Sequence, residues 1–234
     1  MSKVSSYYDE HRNPEELLPP NRRHQILVDQ LKSLGLDQNS SLLELGCGAG
    51  QVTYLISKIV TKGSVVAVDI SPKRIESARR RIGAASNIHF EVSDLLDFNP
   101  PEERYDFITL FDVIEHIPLN DHTKLFERVS GFMDINSRLL INIPNPAFIE
   151  YLQEHEPELL QLVDQPVYAD ALLSRTHKHG LRLRFFITYS VWNHDDYQLI
   201  LLERGKPFMK TDVTPQKTGF LQKMKKKILP VSGK

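Results

Sequence analysis

The sequence predicts an α/β fold: a doubly wound seven-stranded sheet, mostly parallel, with an antiparallel last strand. Three observations carry this. Short apolar runs alternate with amphipathic segments, the rhythm of right-handed strand–helix–strand crossovers. The first five apolar runs are nearly continuous rather than alternating, as in strands covered on both faces. The last two runs are separated only by "NHDD", far too short for a parallel crossover, so they must pair as a hairpin.

Before the first strand lie roughly 40 residues with a helix at "NRRHQILVDQLKSLG". The strands then follow as "SLLELG" (41–46), "SVVAVDI" (64–70), "IHFEVS" (88–93), "YDFITLF" (105–111) and "RLLINI" (138–143), with "LRFFITYSVW" (183–192) and "YQLILLER" (197–204) closing the sheet. In "GQVTYLISKIV", Val52, Leu55, Ile56 and Ile59 form one stripe. "SPKRIESARRRI" opens on Ser then Pro, an N-cap and first-turn pair. "DHTKLFERVSGFM" puts Leu125, Val129, Phe132 and Met133 on one face, and "YADALLSRTHKHG" supplies the last helix. Between the fifth strand and that helix, extra material reads as one or two short helices broken at Pro157. Such inserts lie over the C-terminal edge of a parallel sheet, where ligands bind.

With 234 residues, 41% apolar and 25% charged, the chain is long enough for a sizeable core and ordinary in composition. A net charge of −1 makes no whole-protein case for nucleic acid or membranes. One cysteine, Cys47, excludes a disulfide framework and fits a reducing cytoplasm. The N-terminus lacks the apolar core of a signal peptide, and no run approaches the ~18 apolar residues of a spanning helix. Charge is nevertheless uneven. From Gly205 onward eight lysines face one acid, Asp212. "GFLQKMKKKILP" reads either as a basic amphipathic helix for a polyanion or membrane surface, or as a solvated tail.

The informative stretch is "LLELGCGAGQ", with Gly46, Gly48 and Gly50 between a strand and a helix. A P-loop needs Lys and Ser/Thr after its last glycine, where Gln51 and Val52 stand. A dinucleotide loop needs its third glycine one residue later. A plain strand-to-helix turn explains one glycine or two, not three. The tighter spacing suits bare backbone pressed against a ligand without phosphate. Asp69 ends the second strand 19 positions after Gly50, placed to accept both ribose hydroxyls of an adenosine or to cap the next helix. Asp94, after the third strand, suits an adenine amino group or a turn.

Together "LLELGCGAG", "VVAVDIS", "VSDLLDF", "YDFITLFDVIEHI" and "LLINIPN", in this order, resemble the class I S-adenosylmethionine-dependent methyltransferases, of the small-molecule and ubiquinone-pathway type. The resemblance covers roughly residues 40–204. It implies the Rossmann-like methyltransferase fold and S-adenosyl-L-methionine as cofactor, with S-adenosyl-L-homocysteine as product. It further implies that Glu44, Gly46, Gly48 and Gly50 surround the methionine part, with Asp69 on the ribose and Asp94 and Leu95 on the adenine. Phe111 would lie under the sulfonium, and Cys47 and Ile70 would complete the cofactor-lining set.

"FDVIEHIP" follows the fourth strand and so faces the ligand crevice. Methyl transfer to an oxygen or nitrogen needs the nucleophile positioned and, where it carries one, a proton removed. His116 is the candidate general base. If residues 112–116 form a helical turn, Asp112 shares its face and orients the ring; alternatively His116 only packs against the cofactor edge. Asp112, Glu115 and His116 also have metal-compatible chemistry. Ubiquinone-pathway and small-RNA 2′-O-methyltransferases carry a similar E-x-x-E-H metal pattern. Here Asp stands first, and the reading without metal is preferred. "HKHG" is read as a helix C-terminus with its glycine cap, and His194, Asp195 and Asp196 as a hairpin turn.

Three parts are therefore expected: an N-terminal helical arm or lid over 1–39, with Tyr7, Tyr8 and His11; a cofactor-binding domain over 40–204 whose insert 144–170 caps a small acceptor; and a basic tail over 205–234. The expected activity is methyl transfer to a small or medium-sized acceptor. A non-catalytic cofactor-binding partner subunit and an NAD-dependent oxidoreductase are the rivals. No N-P-P-Y signature points to adenine N6 or glutamine methylation.

Overall fold

The computed structural model describes Tyr7 and residues 18–207. The readings that fall on Tyr8, His11 and the basic tail beyond 207 lie outside the described residues.

Helix α1 (Arg22–Ser33) precedes β1 (Ser41–Leu45), α2 (Gln51–Ser57), β2 (Ser64–Asp69), α3 (Pro72–Ile82), β3 (Ile88–Val92) and β4 (Phe107–Phe111). Then come α4 (His122–Gly131), β5 (Arg138–Pro144), α5 (Pro146–His155), α6 (Ala169–Lys178), β6 (Leu181–Tyr189) and β7 (Tyr197–Arg204). The sheet order is β3-β2-β1-β4-β5-β7-β6. Pairing is parallel from β3 to β5, and β7 is antiparallel to both β5 and β6. The seven strands and the inserted antiparallel β7 are as the sequence predicts.

The strand period of two divides the core between the two faces. Leu42, Val65, Phe107, Leu140 and Leu201 face α1 and α2. Their neighbours Leu43, Val66, Ile108, Ile141 and Leu202 face α4 and α6. Helix α1 is charge-rich, yet Leu27, Val28 and Leu31 are fully buried under the sheet, each worth roughly 1.5–3 kcal/mol. Packing rather than propensity holds this helix. It starts with a reciprocal cap: Asn21 Oδ1 accepts from His24 N (3.2 Å), and Asn21 N donates to His24 Nδ1 (3.0 Å).

The insert after β5 forms α5 and a 3₁₀ turn at Pro157–Leu159, with the break at Pro157 as expected. The β6–β7 hairpin departs from expectation. β6 ends at Tyr189, not at 192. The buried carboxylate of Asp196 takes the N–H groups of Val191 (2.7 Å), Trp192 (3.0 Å) and Asn193 (2.9 Å), which turns the chain away from the ladder.

Candidate functional site

Two groups of residues stand at the C-terminal edge of the sheet, one beyond β1 and β2, the other beyond β4, β5 and the β6–β7 hairpin. In the first, Gly46, Gly48 and Gly50 all adopt left-handed φ (+81°, +55°, +76°), which side chains rarely tolerate. At Gly46 a Cβ would lie 2.2 Å from Val113 Cγ2, and at Gly50 it would lie 2.8 Å from Ala78 Cβ. Gly48 is different: nothing stands within 4 Å of its missing Cβ, so the backbone borders open space.

Four of the loop's N–H groups are occupied. Gly46 N and Cys47 N both donate to Val68 O (2.8 and 2.9 Å), and Gly50 N donates to Cys47 O (3.0 Å). Gly48 N donates to Asp69 Oδ2 (2.9 Å), while Asp69 Oδ1 accepts from Ser71 N (2.9 Å). A phosphate loop must present free N–H groups. This loop instead stands beside the carboxylate of Asp69, which suits hydroxyl and ammonium donors. Asp69 thus serves the loop and can still accept from a ligand, since an ionised carboxylate has about four acceptor positions. Its helix-capping alternative does not form: the cap of α3 is Ser71, whose Oγ accepts from Arg74 N.

Glu44 is buried one strand turn below the loop, where Thr53 Oγ1 donates to it (2.7 Å). Burial pushes its carboxyl up to about 8, against Thr53 and with help from Asp69. Burial likewise raises the Cys47 thiol far above its ordinary range, so it stays protonated and acts as a small core residue beside Ala67, Ile75 and Ala78. Ile70 is half-buried between Asp69 and Ser71. Asp94 is exposed and forms a turn, its Oδ1 accepting from Leu96 N (2.9 Å), with Leu95 half-buried beside it. Phe111 is buried at the end of β4.

The second group contains a correction. Residues 112–116 do not make one helical turn. Asp112 is left-handed (φ +56°) and the 3₁₀ turn begins at Ile114. Asp112 N donates to Asn142 O (2.9 Å), which turns the chain sharply off β4 and aims the carboxylate across the sheet edge. There Asp112 pairs with Arg23 of α1 and accepts from Asn142 Nδ2 (3.1 Å). Tyr189 Oη donates to Asn142 Oδ1 (2.6 Å), and Arg23 Nη1 donates to Tyr197 Oη (3.0 Å). The guanidinium stands over the rings of Tyr197 (5.2 Å) and Trp192 (5.6 Å). Burial raises the Asp112 carboxyl while Arg23 opposes that rise.

His116 is also held by the insert. Its Nδ1 lies 2.7 Å from Val163 O. A carbonyl only accepts, so Nδ1 carries the proton and Nε2 keeps its lone pair, which the Gln161 amide nitrogen contacts at 3.2 Å. Asp164 Oδ1 is 3.5 Å from Nδ1 and Glu115 Oε1 is 3.9 Å from Nε2. Glu115 is buried, neither of its oxygens is hydrogen-bonded, and burial together with Asp112 pushes its carboxyl well above the ordinary range. His122 steadies the turn, its Nε2 lying 2.8 Å from both Ile114 O and Ile117 O. Among the described residues no group of three or more His, Cys, Asp or Glu is arranged to hold a metal ion. Asp112, the first residue of the metal-compatible pattern, is matched to a guanidinium instead.

Residues 42–134 match the family described as "Methyltransferase domain". Over that stretch the chain is similar to methyltransferases, and solved methyltransferase structures share its fold. It is 29% identical over 129 residues to a malonyl-[acyl-carrier protein] O-methyltransferase of Ilyobacter polytropus, covering 53% of this chain and 47% of that one. It is 26% identical over 157 residues to a phosphoethanolamine N-methyltransferase of Plasmodium falciparum, covering 64% and 58%. The chain thus spans about half the length of these curated relatives. In fold it is similar to the N-methyltransferase NodS of Bradyrhizobium japonicum with S-adenosyl-L-homocysteine: TM-score 0.68 at 16% identity, covering 88% of this chain and 100% of that one. It is also similar to magnesium protoporphyrin IX methyltransferase of Synechocystis, solved with the same product: TM-score 0.67 at 15% identity, covering 86% and 98%. Both of these neighbours were solved with S-adenosyl-L-homocysteine, the product of S-adenosyl-L-methionine. The open backbone at Gly48 and the acceptor set of Asp69 fit it.

Sequence reasoning missed Arg23, Asn142, Tyr189, Tyr197 and the covering residues Gln161 and Val163. The one local signal was "NIPN" at a strand end. Nothing in sequence separation ties residue 23 to residue 112.

Proposed function

We propose that this chain transfers a methyl group from S-adenosyl-L-methionine to an oxygen or nitrogen of a small or medium-sized acceptor. The observation that carries the proposal is the glycine loop in which the N–H groups of Gly46, Cys47, Gly48 and Gly50 are taken up internally, beside the carboxylate of Asp69. Such a loop suits a nucleoside bearing an amino acid and opposes a pyrophosphate. Bound there, the sulfonium supplies an electrophilic methyl group. Gly46, Gly48 and Gly50 with Glu44 and Cys47 would line the methionine part, Asp69 and Ile70 the ribose, Asp94 and Leu95 the adenine, and Phe111 the floor beneath the sulfur.

His116 takes the acceptor's proton where the acceptor carries one. Val163 fixes the useful tautomer, and an acceptor O–H or N–H replaces Gln161 at Nε2. Asp112 contributes by holding Arg23. The insert 144–170 forms the acceptor cap, because Gln161, Val163 and Asp164 already close over His116. A buried single cysteine and, among the described residues, no helix long and apolar enough to cross a membrane fit a cytoplasmic setting.

The test is calorimetry with S-adenosyl-L-homocysteine and with NAD, followed by mass-spectrometric methyl transfer across an acceptor panel. Binding of the homocysteine compound alone, with turnover that His116→Gln lowers by about 10²–10⁴ while cofactor affinity holds, is expected. Binding of NAD alone would overturn the reading. Stoichiometric cofactor binding without any turnover would replace it by a non-catalytic partner subunit.

A further inference from the structure

Arg23 is a buried cation whose bonds are all made from one end. Its side chain is 16% exposed. Both of its polar contacts, the hydrogen bond to Tyr197 Oη and the ion pair with Asp112, are made through Nη1. Among the described residues no hydrogen bond is made by Nη2, and Nε is buried without a partner. Leaving a buried guanidinium N–H unmade is costly, and such orphans in native proteins mark a missing water, ion or ligand.

The unused atoms are Nε and Nη2, which form the side-on edge of the guanidinium. Two parallel N–H groups there match the two oxygens of a planar carboxylate. The rest of the residue is immobilised for this: Tyr197 and Trp192 flank its face, and Asp112, itself fixed by its left-handed backbone and by Asn142, holds Nη1. A lysine would satisfy the ion pair with Asp112 equally well. The fork and the orphaned edge are what require arginine.

We infer that the acceptor carries a carboxylate, and that Arg23 binds it side-on through Nε and Nη2 against the Trp192–Tyr197 wall. This deepens the methyltransferase reading and rests on it, since it takes the edge beyond β4, β5 and the hairpin as the acceptor side. Asp112 keeps the site selective: it cancels the charge of Arg23, so that diffuse anions gain little and only a group fitting the free edge gains a bidentate pair.

The experiment uses the full chain saturated with S-adenosyl-L-homocysteine at constant ionic strength. The probes are phenylacetate, hexanoate and glutarate, each set against its amide, with inorganic phosphate as a tetrahedral anion. At least one carboxylate should bind about tenfold tighter than its amide and tighter than phosphate. Arg23→Lys should lose that preference while keeping its melting temperature. Arg23→Gln with Asp112→Asn, which leaves no unpaired charge, should bind acid and amide alike. No carboxylate preference in the wild type, an unchanged preference in Arg23→Lys, or phosphate binding as tightly as the best carboxylate would each overturn the inference. Failure of S-adenosyl-L-homocysteine to bind at the outset would instead overturn the methyltransferase reading beneath it.

Discussion

The proposed cofactor end and the proposed acceptor end are built by opposite means. At the cofactor end, one loop between β1 and α2 does most of the work with backbone. Its three glycines and Asp69 on the neighbouring strand make a cradle in which few side chains take part. At the acceptor end the backbone contributes the strained residue Asp112 and the carbonyl of Val163. The rest is side chains from α1, β5, the hairpin and the insert: Arg23, Asn142, Tyr189, Tyr197, Gln161. A backbone cradle recognises what never changes, the methyl donor. A side-chain cluster can be altered residue by residue, which suits the part that must differ between acceptors.

The sharpest way to break this contrast is Arg23→Met. It leaves the Asp112 carboxylate buried without its counter-charge, and a loss of about 3–5 kcal/mol in urea unfolding is expected, mostly restored by adding Asp112→Asn. A loss below ~1 kcal/mol would mean the pair behaves as a surface pair. Next in size is Gly46→Ala. Its Cβ would fall 2.2 Å from Val113 Cγ2 in a left-handed residue, so a loss of about 2–3 kcal/mol and a collapse of cofactor affinity should appear together. Asp69→Asn is milder: an amide cannot accept from both Gly48 N and Ser71 N, and calorimetry should show affinity for S-adenosyl-L-homocysteine falling by about 10–100-fold with the fold retained.

The smallest effects separate the two ends by pH. Glu44 has a folded value raised to about 8 from an ordinary 4.5. The unfolded chain therefore releases this proton first, and the stability it contributes is present below 4.5 and lost as pH rises towards 8. His24, in the cap that starts α1, is lowered to about 4 from 6.5 by burial and then by Arg23 and Arg81. Its contribution is present above 6.5 and lost as pH falls towards 4. Stability profiles of Glu44→Gln and His24→Gln should each flatten one limb of the wild-type curve, the first on the alkaline side and the second on the acid side. Parallel curves for either variant would remove that residue from the account.

What was legible follows from the same contrast. The glycine loop and Asp69 could be read because each sits at a strand end whose position the apolar pattern already gives. Asp94 was placed correctly at a turn, and the structure shows its carboxylate engaged there with Leu96. The pairing of Asp112 with Arg23 was not legible. The i,i+4 reasoning assumed continuous helix, whereas Asn142, thirty residues on, pulls Asp112 out of it.

By itself the sequence determined the order and type of nearly every element, the place of the antiparallel β7 and the position of the glycine loop. Those depend on period, on turn chemistry and on residues close in the chain. Only the tertiary structure decided that Arg23 meets Asp112, that Val163 sets the tautomer of His116, and that the guanidinium keeps one edge unmade. These contacts join segments 47 to 174 residues apart, and which side chains meet across such distances is settled by how the layers pack.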